Sequence, residues 1–77
     1  MIKIGAKYRH YKGGLYQVVA FAQHSETLEN LVVYQALYGE RKVWCRPAAM
    51  WEEDVNGRPR FEILIEKRRA FSIGKYE

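Results

Sequence analysis

A nine-residue segment, LYQVVAFAQ at 15–23, constrains the fold more than any other part of the chain. It is rich in β-branched and aromatic residues and has no helix-capping residue before it, so it predicts a long strand. Side chains alternate between the two faces of a strand, and both faces of this one are mostly apolar. One face carries Leu15, Val19 and Phe21, and the other carries Tyr16, Val18, Ala20 and Ala22. A small open sheet cannot bury both faces, whereas a closed or strongly bent sheet can bury one face along each half.

Turn signals divide the rest of the chain into further short strands. Glycines occur in KGG at 12–14 and in GERK at 39–42, and Asn56-Gly57 is the strongest hairpin signal in the sequence. Pro47 ends a strand because proline has no backbone N–H for the ladder. The predicted strands cover residues 8–11, 15–23, 31–38, 43–46 and 60–65.

Five short strands joined by close turns predict an all-β chain, and a small SH3-like barrel is the most economical architecture. An OB-fold needs a longer chain and a helix where this sequence has only a hairpin loop. The segment PAAM at 47–50 suits a single 3-10 turn. We assign residues 1–65 to the barrel domain and residues 66–77 to a C-terminal extension that we expect to be partly disordered.

Composition narrows the class of protein. The 77 residues suffice for one domain and are too few for a TIM barrel or a full dinucleotide-binding fold. The single cysteine, Cys45, excludes an internal disulfide and is expected to be a small buried apolar residue beside Trp44. No apolar run is long enough for a signal peptide or a membrane span, so we expect a cytoplasmic protein without membrane association.

The residues of a nucleophilic site are present, but their spacing is poor. His24, Ser25, Glu26 and Thr27 include the types of a Ser–His–acid triad. Adjacent side chains point apart on a strand, so His24 is badly placed to take a proton from Ser25. A small hydrolase or transferase using His10, His24 and Ser25 remains the second alternative, and it requires these groups within hydrogen-bonding reach.

Cofactor and metal sites have weaker support. His10, His24 and Cys45 lack the local spacing of metal ligands, so no metal site is expected. The Gly13-Gly14 pair lacks a phosphate-loop pattern, so no cofactor is expected either.

Aromatic residues interleave with basic ones along the chain, which carries a net charge of +4. Such mixtures stack nucleobases and neutralise phosphates, while aromatic residues alone form grooves for peptides. Core filling accounts for most of the rings, but we expect two or three to be exposed. The mixture comprises Tyr8, Tyr11, Tyr16, Tyr34, Tyr38, Trp44 and Trp51, with Arg9, Lys12, Arg41, Lys42 and Arg46.

Six short motifs run through the same region: YRHYKG (8–13), LYxV (15–18), HSET (24–27), VVY (32–34), LYG (37–39) and WxRPxxM (44–50). Together they resemble a small bacterial family of uncharacterised proteins, a domain-of-unknown-function family, over about residues 7–65. The resemblance implies an SH3-like barrel and implies no activity. In that family's pattern, Cys45 is often valine and Trp51 often phenylalanine, and both changes keep the apolar character.

The polar residues of these motifs are candidates for one shared site. The structural alternative is a hydrogen-bond network that ties the 24–27 loop to the first strand. The candidate ligand-binding set is Tyr8, Arg9, His10, His24, Ser25, Glu26, Thr27, Tyr34, Trp44 and Arg46.

The leading interpretation is a binding module and not an enzyme. It is expected to bind nucleic acid or another anionic ligand through an aromatic–basic face. The first alternative is a peptide- or protein-interaction module, for which binding depends weakly on salt. The sequence leaves the oligomeric state open.

Overall fold

The computed structural model describes residues 2–65, and within them the chain is all-β with one helical turn. The extension predicted at 66–77 lies outside the described residues. No helix among those described is long and apolar enough to span a membrane. The elements are β1 (Lys7–His10), β2 (Leu15–Gln23), β3 (Asn30–Ala36), β4 (Val43–Pro47), α1 (Ala48–Trp51), β5 (Asp54–Val55), β6 (Arg58–Pro59) and β7 (Phe61–Ile63).

The main sheet has five antiparallel strands in the order β4-β3-β2-β1-β7, and β5 and β6 form a separate hairpin. The predicted all-β, barrel-like fold is confirmed, and the bounds of β2 match the prediction. The β5–β6 hairpin is built on the predicted turn, in which Asn56 and Gly57 both have positive φ (54° and 80°). Paired positive φ values are the geometry of a type I′ turn, whose twist matches a hairpin.

The helical turn differs slightly from the predicted 3-10 turn at 47–50. It begins one residue later, at Ala48, and the Glu52 N–H closes it on the Ala48 carbonyl (3.2 Å), which is an α-helical bond. Pro47 has an extended backbone (φ −55°, ψ 135°) and is the last residue of β4. Its ring fixes φ at a value that suits the residue before a helix.

The sheet bends until strands that are not neighbours touch. The Phe61 ring on β7 lies 5.8 Å from the Tyr34 ring on β3. In a flat sheet these two strands are three spacings, or about 14 Å, apart. Bending of this size is what turns a five-strand sheet into a barrel.

Trp51 on α1 closes the open side of the barrel. It is 2% exposed and stacks flat on Phe61, with ring centroids 3.6 Å apart and planes within 3°. Its edges meet Tyr8 and Tyr34, with centroids at 5.3 Å and 5.0 Å. Large rings therefore form most of the core, which comprises Tyr8, Val18, Val32, Tyr34, Trp51 and Phe61.

A β-bulge in β2 changes which side chains face the core. Val18 pairs with Tyr34 and Ala20 pairs with Val33, which leaves Val19 without a partner. The extra residue shifts the alternation, so Phe21 rather than Ala20 lies on the core side beyond the bulge.

The expectation that β2 buries one face along each half is not met. Phe21 is 51% exposed and Val19 is 41% exposed. Strand β1 pairs only with residues 15–17 of β2, so within residues 2–65 the far half of β2 pairs with β3 alone.

The expected burial of Cys45 is wrong, because the thiol is exposed. Cys45 pairs with Val33, while Trp44 pairs with the buried Tyr34. Directly paired residues share a face of the sheet. The register of β4 therefore turns Trp44 and Arg46 toward the core side and Cys45 toward the outer side.

We expect Trp51→Ala to cost about 3–5 kcal/mol of unfolding free energy, since it removes a buried ring from the centre of the core. Because small domains have about 5–15 kcal/mol in total, this loss removes a large share of the stability of the chain. Urea denaturation followed by circular dichroism measures the loss. Trp44→Ala is the control, because Trp44 is 50% exposed, and equal losses in both variants would contradict the assignment.

Candidate ligand-binding site

Aromatic side chains from three neighbouring segments line a cleft on the core side of the sheet. We call it the aromatic cleft; it has a volume of about 240 Å³ and is lined by Tyr16, Tyr34, Tyr38, Trp44 and Arg46. Tyr34 and Trp44 are cross-strand partners, and Tyr16 lies on the adjacent strand. Tyr38 and Trp44 are about half exposed. These two rings therefore offer apolar surface that the core does not use.

A second depression of about 280 Å³ adjoins the aromatic cleft and shares Tyr38 and Trp44 with it. Its other wall comes from the β3–β4 hairpin loop, where Gly39 has a φ of +57° and Lys42 and Glu40 form an exposed ion pair at 3.7 Å. The two exposed rings thus have open space on both sides, which suits a flat group that stacks on them.

A hydrogen bond between two phenols fixes the wall of the aromatic cleft. The hydroxyls of Tyr16 and Tyr38 lie 2.5 Å apart, and the ring centroids are 5.6 Å apart. Burial raises the pKa of Tyr16 to about 12, and the hydrogen bond with Tyr38 adds to the shift. Tyr16 therefore keeps its proton at every physiological pH.

Gly14 lets these rings approach the backbone. A Cβ at this position would lie 3.1 Å from the Tyr16 ring and 3.2 Å from the Tyr38 ring. Those distances are shorter than ordinary van der Waals contact, so a larger residue would displace the pair.

Arg46 supplies the positive charge in the aromatic cleft. Its Nε donates to the Tyr34 hydroxyl at 3.4 Å, and its guanidinium carbon lies 5.7 Å from the centroid of Phe61. Within residues 2–65, no carboxylate lies at ion-pair distance from it. Its charge is therefore available to a ligand.

His10 packs against the Phe61 ring, which Arg46 also contacts. Its imidazole lies 4.8 Å from the Phe61 centroid, and its Nδ1 accepts the Lys12 N–H at 3.2 Å. Burial lowers the pKa of His10 below 6.5, and the charges of Arg46, Arg60 and Lys12 lower it further. His10 is thus neutral near pH 7, with its proton on Nε2, because Nδ1 acts as an acceptor.

Two candidate residues of β1 lie elsewhere. Tyr8 is buried in the core, where its hydroxyl accepts the Lys3 N–H at 3.1 Å. Arg9 is exposed on the opposite face of β1, with Leu15 and Glu62 as cross-strand partners. Alternation along the strand separates Arg9 from its neighbours Tyr8 and His10.

The loop at 24–27 is a separate, local structure at the far end of β2. His24 Nδ1 accepts the N–H groups of Glu26 and Thr27 at 3.1 Å and 3.3 Å, and Thr27 Oγ1 accepts the Glu29 N–H at 3.2 Å. These bonds stay within the loop, and none recorded among the described residues connects it to β1.

The length of β2 separates the two histidines. The His10 N–H bonds to Gly14, and His24 lies ten residues farther along, which corresponds to about 30 Å of extended strand. His10, His24 and Ser25 are therefore not brought within hydrogen-bonding reach, which the hydrolase alternative requires. Of the candidate set, the structure gathers His10, Tyr34, Trp44 and Arg46.

Sequence reasoning left Tyr16, Tyr38, Lys12 and Arg60 out of the candidate site. A signal for the first two existed, because Tyr16 lies on the same face of β2 as Val18 and Tyr38 belongs to the LYG motif. Arg60 had no such signal, because its position depends on how β7 docks. Within residues 2–65, no three His, Cys, Asp or Glu side chains lie close enough to hold a metal ion.

Comparisons with known proteins agree with the fold and assign no chemistry. The sequence profile of a family described as protein of unknown function, DUF1653, matches residues 6–63. The chain is similar to a crystal structure of a DUF1653 protein from Bordetella bronchiseptica, with 34% identity and a TM-score of 0.69. That alignment covers 80% of this chain and 87% of the other. A search among curated proteins finds no match.

We expect Gly14→Ala to displace the rings of Tyr16 and Tyr38 and to cost about 1–3 kcal/mol of stability, because the new methyl group overpacks the contact. Aromatic carbon–proton NMR spectra report the positions of both rings. Tyr38→Phe serves for comparison, since it removes the hydrogen bond and keeps the ring. Unchanged Tyr16 and Tyr38 signals in the alanine variant would show that the contact is not tight.

Stability should fall as the pH falls below about 6.5, the ordinary pKa of histidine. Because the pKa of His10 is lowered in the folded chain, the unfolded chain takes up this proton first, and protonation favours unfolding. Urea midpoints at pH 7.5, 6.5 and 5.5 measure the effect, with His10→Gln as the comparison. A variant with the same pH dependence as the parent chain would contradict the contribution of His10.

Proposed function

The chain belongs to the DUF1653 family, and we propose that this member is a binding module that holds a single strand of nucleic acid through its aromatic cleft. A base stacks on the exposed rings of Trp44 and Tyr38, and the Arg46 guanidinium contacts the backbone. We propose the cytoplasm as its location, since single-stranded RNA is available there.

The observation that supports the proposal most is the combination of two half-exposed rings with a guanidinium that has no carboxylate partner among the described residues. Stacking of one base on an aromatic side chain contributes about 1–3 kcal/mol and accepts any base. Arginine adds an electrostatic contact with the phosphate that carries no sequence information. Recognition by this cleft would therefore be weakly dependent on sequence.

The size of the cleft limits the ligand. Pockets for drug-sized molecules have volumes of about 300–1,000 Å³. The aromatic cleft, at about 240 Å³, is smaller and has an open side. A single base fits such a space, whereas a duplex presents no free base to stack.

The position of β4 at an edge of the sheet favours peptide binding as the alternative function. Strand β4, which carries Trp44, is an edge of the five-strand sheet. An extended peptide can add to such an edge through backbone hydrogen bonds, with the exposed indole as an anchor. Binding of this kind would depend weakly on salt, and phosphate binding would depend on it strongly.

The test is a titration with a seven-nucleotide mixed-sequence RNA at 50 mM and 200 mM salt, followed by amide NMR. Shifts should cluster at Tyr16, Tyr38 and Trp44. We expect Trp44→Ala to weaken binding by about five- to 150-fold, the equivalent of one lost stacking contact. Arg46→Gln should weaken binding and reduce the slope of log affinity against log salt by about 0.7, the single-strand value for one phosphate.

Arg9→Gln is the matched control, because it removes the same charge from the outer face of the sheet. It should keep the affinity of the parent chain within about twofold, because Arg9 is exposed on the opposite face of β1 and does not line the cleft. The proposal is wrong if the parent chain does not bind RNA, or if Arg9→Gln and Arg46→Gln weaken binding equally. Binding of an extended peptide with no salt dependence would favour the alternative.

A further inference from the structure

We infer that the aromatic cleft continues into a distinct anion subsite, formed by His10, Lys12, Arg46 and Arg60, that takes one phosphodiester group of the bound strand. This inference rests on the proposed function for the identity of the ligand. It rests on separate residues for the binding of the anion.

Phe61 brings the members of this subsite together. It pairs with His10 across β1 and β7, and the imidazole packs against its ring at 4.8 Å. The Arg46 guanidinium lies over the same ring at 5.7 Å. Arg60 immediately precedes Phe61, and its carbonyl accepts the Tyr11 N–H at 2.9 Å, which holds its backbone beside the end of β1. Its guanidinium lies close enough to His10 for its charge to lower the pKa of the imidazole. Lys12 follows in the turn, with its backbone N–H on His10 Nδ1.

The polar groups of the subsite are donors. A guanidinium and an ammonium have no acceptor atom, and His10 uses its one acceptor, Nδ1, for the Lys12 N–H. The Nε2 of His10 therefore carries a proton and can donate it in a hydrogen bond. A ligand that satisfies such a set must be rich in acceptor atoms, and an anion also satisfies the charge.

One donor already lacks a partner. The Nε of Arg60 is buried and makes no hydrogen bond with any residue in the described part of the chain. Buried donors without acceptors are rare in folded proteins, because the lost hydrogen bonds to water are not replaced. This unpaired donor belongs to one of the four subsite residues, and it is an observation independent of the charge pattern.

The carboxylates do not cancel this charge. Glu53 Oε1 lies 3.2 Å from Arg60 Nη2, and it is the one acid in the described part of the chain within ion-pair distance of a subsite base. It neutralises part of the Arg60 charge and leaves those of Arg46 and Lys12. A bound phosphodiester carries one negative charge, which would offset part of this remaining positive charge.

Arg46 determines where the phosphodiester lies along the strand. It lines the aromatic cleft and also contacts Phe61, so it borders both places. The phosphate in the subsite is thus adjacent to the stacked base. The shortest ligand that fills both places with a base and a phosphodiester is a dinucleoside monophosphate.

The experiment compares three probes on the full chain: sodium sulfate, a nucleoside without phosphate, and a dinucleoside monophosphate. Two NMR signals serve as readouts, the His10 imidazole nitrogens for the subsite and the Trp44 indole N–H for the cleft. We expect sulfate to shift His10 alone, the nucleoside to shift Trp44 alone, and the dinucleoside monophosphate to shift both. Sulfate is chosen because it does not titrate between pH 5 and pH 8.

Variants separate the subsite from the cleft. Lys12→Gln and Arg60→Gln should each weaken the dinucleoside monophosphate about tenfold, the loss of one charge-assisted hydrogen bond, without changing the nucleoside. Lys7→Gln and Arg9→Gln are the controls, because they remove equal charge from the outer face of β1. Lys12 is exposed, so its variant will fold even if Arg60→Gln does not.

The outcomes distinguish this inference from the proposed function. If RNA shifts Trp44 while neither sulfate nor the dinucleoside monophosphate shifts His10, the subsite is wrong and the proposed function stands. If sulfate shifts His10 and the nucleoside leaves Trp44 unchanged, the subsite stands and the stacking proposal fails. Equal losses of sulfate affinity in the Lys12 and Lys7 variants would also overturn the subsite.

Discussion

The stack of Trp51 on Phe61 is the contact on which the bent shape of the sheet depends. Strand β7 has only three residues, so its backbone ladder alone cannot hold it against the barrel. The stack at 3.6 Å attaches β7 to α1, and edge contacts carry this attachment to Tyr8 and Tyr34. A small chain without a disulfide buries little surface in total, so a few large rings contribute much of its stability.

The Phe61 ring connects the core with the candidate site. Phe61 packs against Trp51 on one side, while His10 and Arg46 lie against it from other directions. Tyr34 belongs to the core and also lines the aromatic cleft, so the cleft rests directly on the core. Binding groups that rest on a packed core are held in place before the ligand arrives, which lowers the entropy lost on binding.

The sequence predicted the local structure well, because alternation and turn chemistry are local properties. The bounds of β2 and the turn at Asn56 and Gly57 follow from them. The exposure of Cys45 could not be predicted in this way. Either face of β4 can point inward until the register with β3 is known, and pairing of Trp44 with Tyr34 decides the matter. The helical turn at Ala48 and the role of Trp51 likewise depend on tertiary packing.

The candidate site was predicted in part for a related reason. The polar residues of the six motifs suggested one shared site. The structure brings four of them, His10, Tyr34, Trp44 and Arg46, to the same side of the sheet. The 24–27 loop does not join them, because a nine-residue strand is long relative to a small barrel. Strand rise alone could have shown this separation from the sequence. The contribution of Arg60 could not have been seen, since it depends on the docking of β7.

The small aromatic core has a thermodynamic consequence for identifying a ligand. A compound that binds only the folded chain stabilises it by about 2.7 kcal/mol when its concentration is 100 times the dissociation constant. In a domain of this size each kcal/mol corresponds to about 4–8 °C in the midpoint of thermal unfolding. A ligand of modest affinity should therefore raise the midpoint of thermal unfolding by an easily measured amount. Thermal unfolding can thus be used to screen small anions and nucleotides for binding to this chain.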